Sequence, residues 1–153
     1  MTTTENPAIG KDVDANGIRT NYLEAGSGAQ TVVLVHGSGP GVTAYANWRG
    51  VLPELGKDFR CVAPDMVGFG YSERPENPKY GLDTWADQTL GVMDALGIEE
   101  AHLVGNSFGG GIALRLARIS TQQVRRKGSD ELVAEGPVVP PGHWGGGWEF
   151  GLA

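Results

Sequence analysis

Residues 31–35 read Thr-Val-Val-Leu-Val, an unbroken run dominated by β-branched side chains. A strand of this kind has no polar face to turn toward water, so it suits a parallel sheet covered by helices on both sides. Two more segments have the same character, Arg60-Cys61-Val62-Ala63-Pro64 and Ala101-His102-Leu103-Val104-Gly105. Between and after them lie helical patterns, a short one from about Trp48 to Leu55, a clear one over 82–96 and a third from Phe108 to about Arg118. Strands alternating with helices imply an α/β fold, with 31–35, 60–64 and 101–105 as parallel neighbours.

Leu82, Trp85, Ala86, Thr89, Met93 and Leu96 recur at helical spacing and form the expected buried face. Asp83 is the expected cap at its start and Gly97 at its end. Ahead of the parallel set, Asn16-Gly17 separates two alternating runs over 11–25. That pair predicts a hairpin, because a type I′ turn needs positive φ at both central residues. After Arg126 the periodicity fades. Residues 128–153 hold seven glycines, three prolines and two tryptophans. The expected division is therefore 1–126, an α/β sheet of five or six strands, and 127–153, a divergent tail.

The 153 residues fit one domain, and the formal charge of −6 gives no reason to expect nucleic acid or an anionic membrane as partner. One cysteine, Cys61, excludes an internal disulfide and reads as a small buried hydrophobe. No apolar stretch approaches membrane-spanning length, and Met1–Asn6 lacks the basic-then-apolar pattern of a secretory signal, so the cytoplasm is expected.

Gly105-Asn106-Ser107-Phe108-Gly109 fits G-x-S-x-G. In a chain with 25 glycines the pattern alone is weak, with about 0.16 matches expected by chance. Its position is stronger, because it ends an apolar strand and opens a helix, where small flanking residues permit the sharp turn that lifts a serine hydroxyl off the sheet. The bland alternative is a simple Gly-Ser turn. His36-Gly37-Ser38-Gly39-Pro40-Gly41 follows the 31–35 strand and leaves backbone N–H groups above the sheet, where an oxyanion could be held. It matches neither the P-loop nor the dinucleotide fingerprint. His36 reads as a turn histidine and Asp65, at a strand end, as a structural loop residue. Asn47 and Asn106 could serve a ligand or their own local backbone.

These segments, with Ala44-Tyr45-Ala46-Asn47-Trp48 and Pro64-Asp65-Met66-Val67-Gly68-Phe69-Gly70-Tyr71-Ser72, resemble the meta-cleavage product hydrolases. Those α/β-hydrolases cleave carbon–carbon bonds in ring-fission products of aromatic catabolism. The resemblance runs from about residue 10 to Arg126. It implies Ser107 as the nucleophilic or activating serine and the N–H groups of Ser38 and Phe108 as the oxyanion hole. It also implies Asn47, Asn106, Gly37 and Gly39 as substrate-binding positions. The implied substrate is a small ring-fission product acid, with no metal and no organic cofactor. A homo-oligomer stays open.

The family also supplies a lid, an acid and a histidine after the serine, and here the sequence departs from it. Beyond Arg126, where an apolar strand should follow, stands Lys127-Gly128-Ser129-Asp130-Glu131. On one account a truncation or frameshift replaced the second half. On the other an internal deletion joined front to end, with Asp130 as the acid and Gly142-His143-Trp144 as the histidine segment. The alternatives to a C–C hydrolase are a carboxylesterase-type hydrolase and a catalytically inactive fragment. Dehalogenase and epoxide hydrolase readings fall behind, because those relatives carry an aspartate where Ser107 stands.

Overall fold

The computed structural model of the chain describes residues 6–126 and 149–152. Strands β1 (Lys11–Ala15) and β2 (Ile18–Ala25) form the expected hairpin. Its turn residues Asn16 and Gly17 have φ of 55° and 83°, and Asp14 Oδ1 accepts the Gly17 N–H at 2.8 Å. The other strands are β3 (Thr31–Val35), β4 (Arg60–Pro64), β5 (His102–Asn106) and β6 (Glu149–Leu152), in the sheet order β1-β2-β4-β3-β5-β6. β3 lies between β4 and β5 and is parallel to both, as the three apolar runs require. β2 and β6 run against this set, and β1, antiparallel to β2, runs with it.

Both faces of the central strands are covered. On one side Val33 and Val35 pack with Met66, Trp85, Ile112 and Leu116. On the other Val32 and Leu34 pack with Trp48, Leu52, Cys61 and Ala63. The alternation is that of a strand with two buried faces, and each such aliphatic side chain contributes about 1.5–3 kcal/mol of burial. Cys61 is fully buried, and burial pushes its thiol pKa up, away from reactivity.

Four expectations need correction. The helix expected over 48–55 is two short ones, α1 (Ala44–Trp48) and α2 (Leu52–Leu55). Thr43 Oγ1 caps the first at 2.9 Å from the Ala46 N–H, and Pro53, which has no N–H, sits in the opening turn of the second. In α3 (Leu82–Ala95) the cap is Gly81; Asp83 instead pairs with Arg115 at 2.6 Å. Leu82 is 41% exposed, and the buried face also takes in Gln88, Gly91 and Val92. The period-based face was displaced because Gln88 is buried to bond polar atoms, a use hydrophobicity does not register. The last helix, α4 (Phe108–Arg126), runs on past Arg118.

Two polar side chains brace the loops at the carboxyl ends of β3 and β4. Asp65 is fully buried. Its Oδ1 accepts the Ala44 N–H at 2.6 Å, and its Oδ2 accepts Tyr71 N–H and Asn21 Nδ2, both at 2.8 Å. His36, 1% exposed, donates Nδ1–H to the Gly37 carbonyl at 2.6 Å and accepts the Met66 N–H at Nε2, 2.9 Å away. That pattern fixes a neutral ring protonated at Nδ1.

Asp65→Ala takes the acceptor from three donors, two of them in buried bonds, and we expect a loss on the order of 3 kcal/mol, read as a fall in the urea midpoint. Burial, opposed by the Gly37 carbonyl and the Asp65 carboxylate, pulls the His36 pKa below the usual 6.5. The unfolded chain therefore takes up the proton first as pH falls, so stability decreases from pH 7.5 toward 5.5. His36→Gln should flatten that part of the profile; an unchanged slope would show that His36 does not titrate on unfolding.

Candidate active site

The geometry of the site begins with two close contacts. A Cβ at Gly109 would stand 2.1 Å from the Val35 carbonyl oxygen, and one at Gly105 would stand 2.3 Å from the Gly109 carbonyl. Only glycines let α4 start this near β3 and β5. The chain turns between β5 and α4 in one residue, Ser107, whose φ is 53°. Among the described residues, Asn16 is the only other non-glycine with positive φ. Such a conformation costs free energy and is kept where the surroundings enforce it. The result is an exposed serine at the strand's carboxyl end, with the Phe108 N–H in the helix's first turn, where no intrahelical acceptor exists. Phe108 is anchored by an edge-to-face contact with Trp85, ring centroids 5.0 Å apart.

The loop after β3 lies against this elbow. A Cβ at Gly37 would be 3.2 Å from the Asn106 carbonyl oxygen and 3.5 Å from Ser107 Cβ. Asn47 ties the two together: its Oδ1 accepts the Gly37 N–H at 3.0 Å and Asn106 Nδ2 at 2.8 Å. The Gly37 N–H is thus engaged internally. The next amide along the exposed turn, Ser38, has no acceptor among the described residues. Asn106 keeps Oδ1 and Asn47 keeps Nδ2 free of described partners.

The arrangement therefore brings together Ser107, Ser38, Phe108, Gly37, Asn47 and Asn106. It leaves His36 and Asp65 as braces with their polar atoms occupied. Gly39 lies farther along the loop, with φ of 150°. Asp130 and His143 lie outside the described residues. Among those described, nothing stands within hydrogen-bonding distance of the Ser107 hydroxyl, no group of three or more His, Cys, Asp or Glu could hold a metal ion, and no helix is long and apolar enough to cross a membrane.

Sequence reading missed Gln88, which is fully buried and organises the loop after β4. Its Oε1 accepts the Val67 N–H at 2.7 Å, and its Nε2 donates to Thr20 Oγ1 at 2.9 Å and to the Asp65 carbonyl at 3.2 Å. The only signal was a polar residue interrupting the apolar face of α3.

Comparison with known proteins agrees with this geometry. The chain is 59% identical over 120 residues to a 2-hydroxymuconate semialdehyde hydrolase of Pseudomonas sp. (strain CF600), covering 78% of this chain and 42% of that protein. It is 52% identical over 124 residues to a 2-hydroxy-6-oxo-2,4-heptadienoate hydrolase of Pseudomonas putida, covering 81% and 45%. A meta-cleavage product hydrolase from Pseudomonas fluorescens IP01, solved as a serine-to-alanine variant, superposes with a TM-score of 0.73 at 57% identity, covering 75% and 42%. The chain thus spans less than half the length of these relatives. A family model described as alpha/beta hydrolase fold matches residues 30–131, and with the elbow, the sheet order and this match in agreement, the chain belongs to the α/β-hydrolase fold family.

Proposed function

We propose that this chain carries the nucleophile half of a serine-dependent site that hydrolyses a carbon–carbon bond in meta-cleavage products of aromatic catabolism, in the manner of 2-hydroxymuconic semialdehyde hydrolase. The observation that supports it most is the juxtaposition at the strand ends: an exposed Ser107 at φ 53° beside a glycine loop whose Ser38 amide is unpaired. Ser107 acts as nucleophilic or activating serine. The Ser38 and Phe108 N–H groups hold the oxyanion that develops as the carbonyl is attacked, with donors fixed before the reaction begins. Asn47 positions the Ser38 amide by holding Gly37, while Asn106 Oδ1 and Asn47 Nδ2 remain for the polar end of the substrate acid.

A serine hydroxyl is almost wholly protonated at neutral pH and needs a base. His36 cannot serve, since both ring nitrogens are bonded and the ring is buried. We assign the base to His143 and its orienting acid to Asp130, the order Ser, Asp, His being that of the fold family. Serine, histidine, acid and water suffice for the chemistry, so no cofactor is assigned. The reading places the protein in the cytoplasm.

Turnover of a meta-cleavage product by the chain as written should be slow. Ser107→Ala and His143→Ala should each lower it to what the oxyanion hole and binding supply without a working triad, roughly 10³–10⁴-fold over water. Stopped-flow absorbance of the dienol acid, run beside a p-nitrophenyl ester, reads both. Preference for the ester would replace the C–C reading with a carboxylesterase one, and activity untouched by Ser107→Ala would overturn the site. Asn47→Ala, which frees Gly37, should lower kcat by about tenfold or more, with the chain still folded by circular dichroism.

A further inference from the structure

We infer that the cleft between the loop after β3 and the loop after β4 is a binding site for a small carboxylate with an apolar body. It has a volume of about 720 Å³, within the range of small-molecule sites. Residues 39–43 form one wall and residues 68–72 the other, with Arg19 and Arg74 also lining it. Ser107 and Phe108 do not line it, so it is a different place from the elbow.

The charge pattern runs against the rest of the molecule. The chain carries a net −6, yet the lining holds two guanidinium groups and no carboxylate. Arg19 pairs with Asp12 at 2.9 Å in an exposed contact, and its Nη2 donates to the Tyr71 carbonyl at 3.0 Å. An exposed pair of that kind is weak and readily exchanged. Arg74 donates Nη2 to the Gly70 carbonyl at 2.8 Å and makes no ion pair among the described residues. A carbonyl orients a guanidinium without neutralising it. One N–H of the five is used, and the planar fork matches a carboxylate bidentately.

The nearby acids are already committed. Glu73 Oε2 accepts the Arg19 backbone N–H at 3.0 Å, and the buried Asp65 holds Ala44, next after the 39–43 wall, and Tyr71 in the other wall. That shared brace fixes the two walls relative to each other, so a ligand would meet a preformed cleft. Pro40, Val42, Phe69 and Tyr71 supply apolar lining. Two arginines lining an apolar slot suit an organic acid better than a bare inorganic anion.

The test is an amide NMR titration of the whole chain with benzoate, with benzyl alcohol and inorganic phosphate as comparisons at constant ionic strength. Saturable shifts at Gly41, Gly68 and Gly70, with Kd in roughly the millimolar range, are expected for benzoate. Arg74→Gln should weaken it by about tenfold or more, and Arg74→Lys by less. Shifts of the Ser38, Asn106 and Phe108 amides with the same Kd would place benzoate at the elbow instead and overturn the proposal. Shifts that grow linearly without saturating would overturn the proposal. So would an unchanged Kd in Arg74→Gln, or benzyl alcohol or phosphate binding as tightly as benzoate. Arg74 is exposed, so the dispersed amides of Ala15 and Val33 should confirm an intact fold in each variant.

Discussion

The closeness of α4 to β3 is the constraint on which the candidate site depends. With Gly109 set against the Val35 carbonyl and Gly105 against Gly109, the strand-to-helix turn has room for one residue only. That residue must take positive φ, and its side chain must leave the sheet. The same contact places the end of β3, and hence the turn at Gly37 and Ser38, next to the serine. The exposed Ser107 and the neighbouring Ser38 and Phe108 amides therefore share a cause. Both follow from packing a helix onto a parallel sheet more closely than any residue with a Cβ allows. A bulkier residue at either glycine would move the helix, and with it the Phe108 amide, away from the Ser38 amide.

A close turn leaves backbone groups to be satisfied, and the chain meets this with buried polar side chains. Asp65 takes three donors, His36 one donor and one acceptor, and Gln88 both kinds. Each would be costly alone in the interior, and each is acceptable because its partners are complete. The braces have a second effect. Asp65 bonds Ala44, the residue that follows one wall of the arginine cleft, and Tyr71 on the other wall. One buried carboxylate thereby orders both the approach to the elbow and the neighbouring cleft. The aromatic series Tyr80, Trp85 and Phe108 extends that order to the elbow itself, with Tyr80 stacked on Trp85 at 6.0 Å.

What was legible in the sequence is what local pattern controls. The β-branched run at 31–35 announced a strand buried on both faces, and Asn16-Gly17 announced the turn between β1 and β2, because each rests on residues adjacent in the chain. The elbow was legible for the same reason, since G-x-S-x-G after an apolar strand leaves few backbone options. The structural roles of His36 and Asp65 were legible from their places in the turns. Partners distant in sequence were not legible. Gln88 bonds Thr20, 68 positions away, and Asn47 bonds Asn106, 59 away. Nothing in the local sequence of Asn47 shows that its carbonyl oxygen holds Gly37. The break between α1 and α2 was missed because Leu52 and Leu55 continue an apolar rhythm across a proline that starts a new helix.

The topology also bears on the sheet edge beside the elbow. β6 pairs with the outer edge of β5 in an antiparallel ladder, with Glu149 opposite Asn106. The chain therefore enters this last strand at the end of the sheet where Ser107 stands, one residue beyond Asn106. Had β6 run parallel to β5, Glu149 would have stood at the opposite end of the strand, the far side of the sheet from Ser107. The antiparallel pairing instead brings the start of β6 to the carboxyl end of β5, beside the elbow, so the outer edge of the sheet is covered at the place where the serine leaves it.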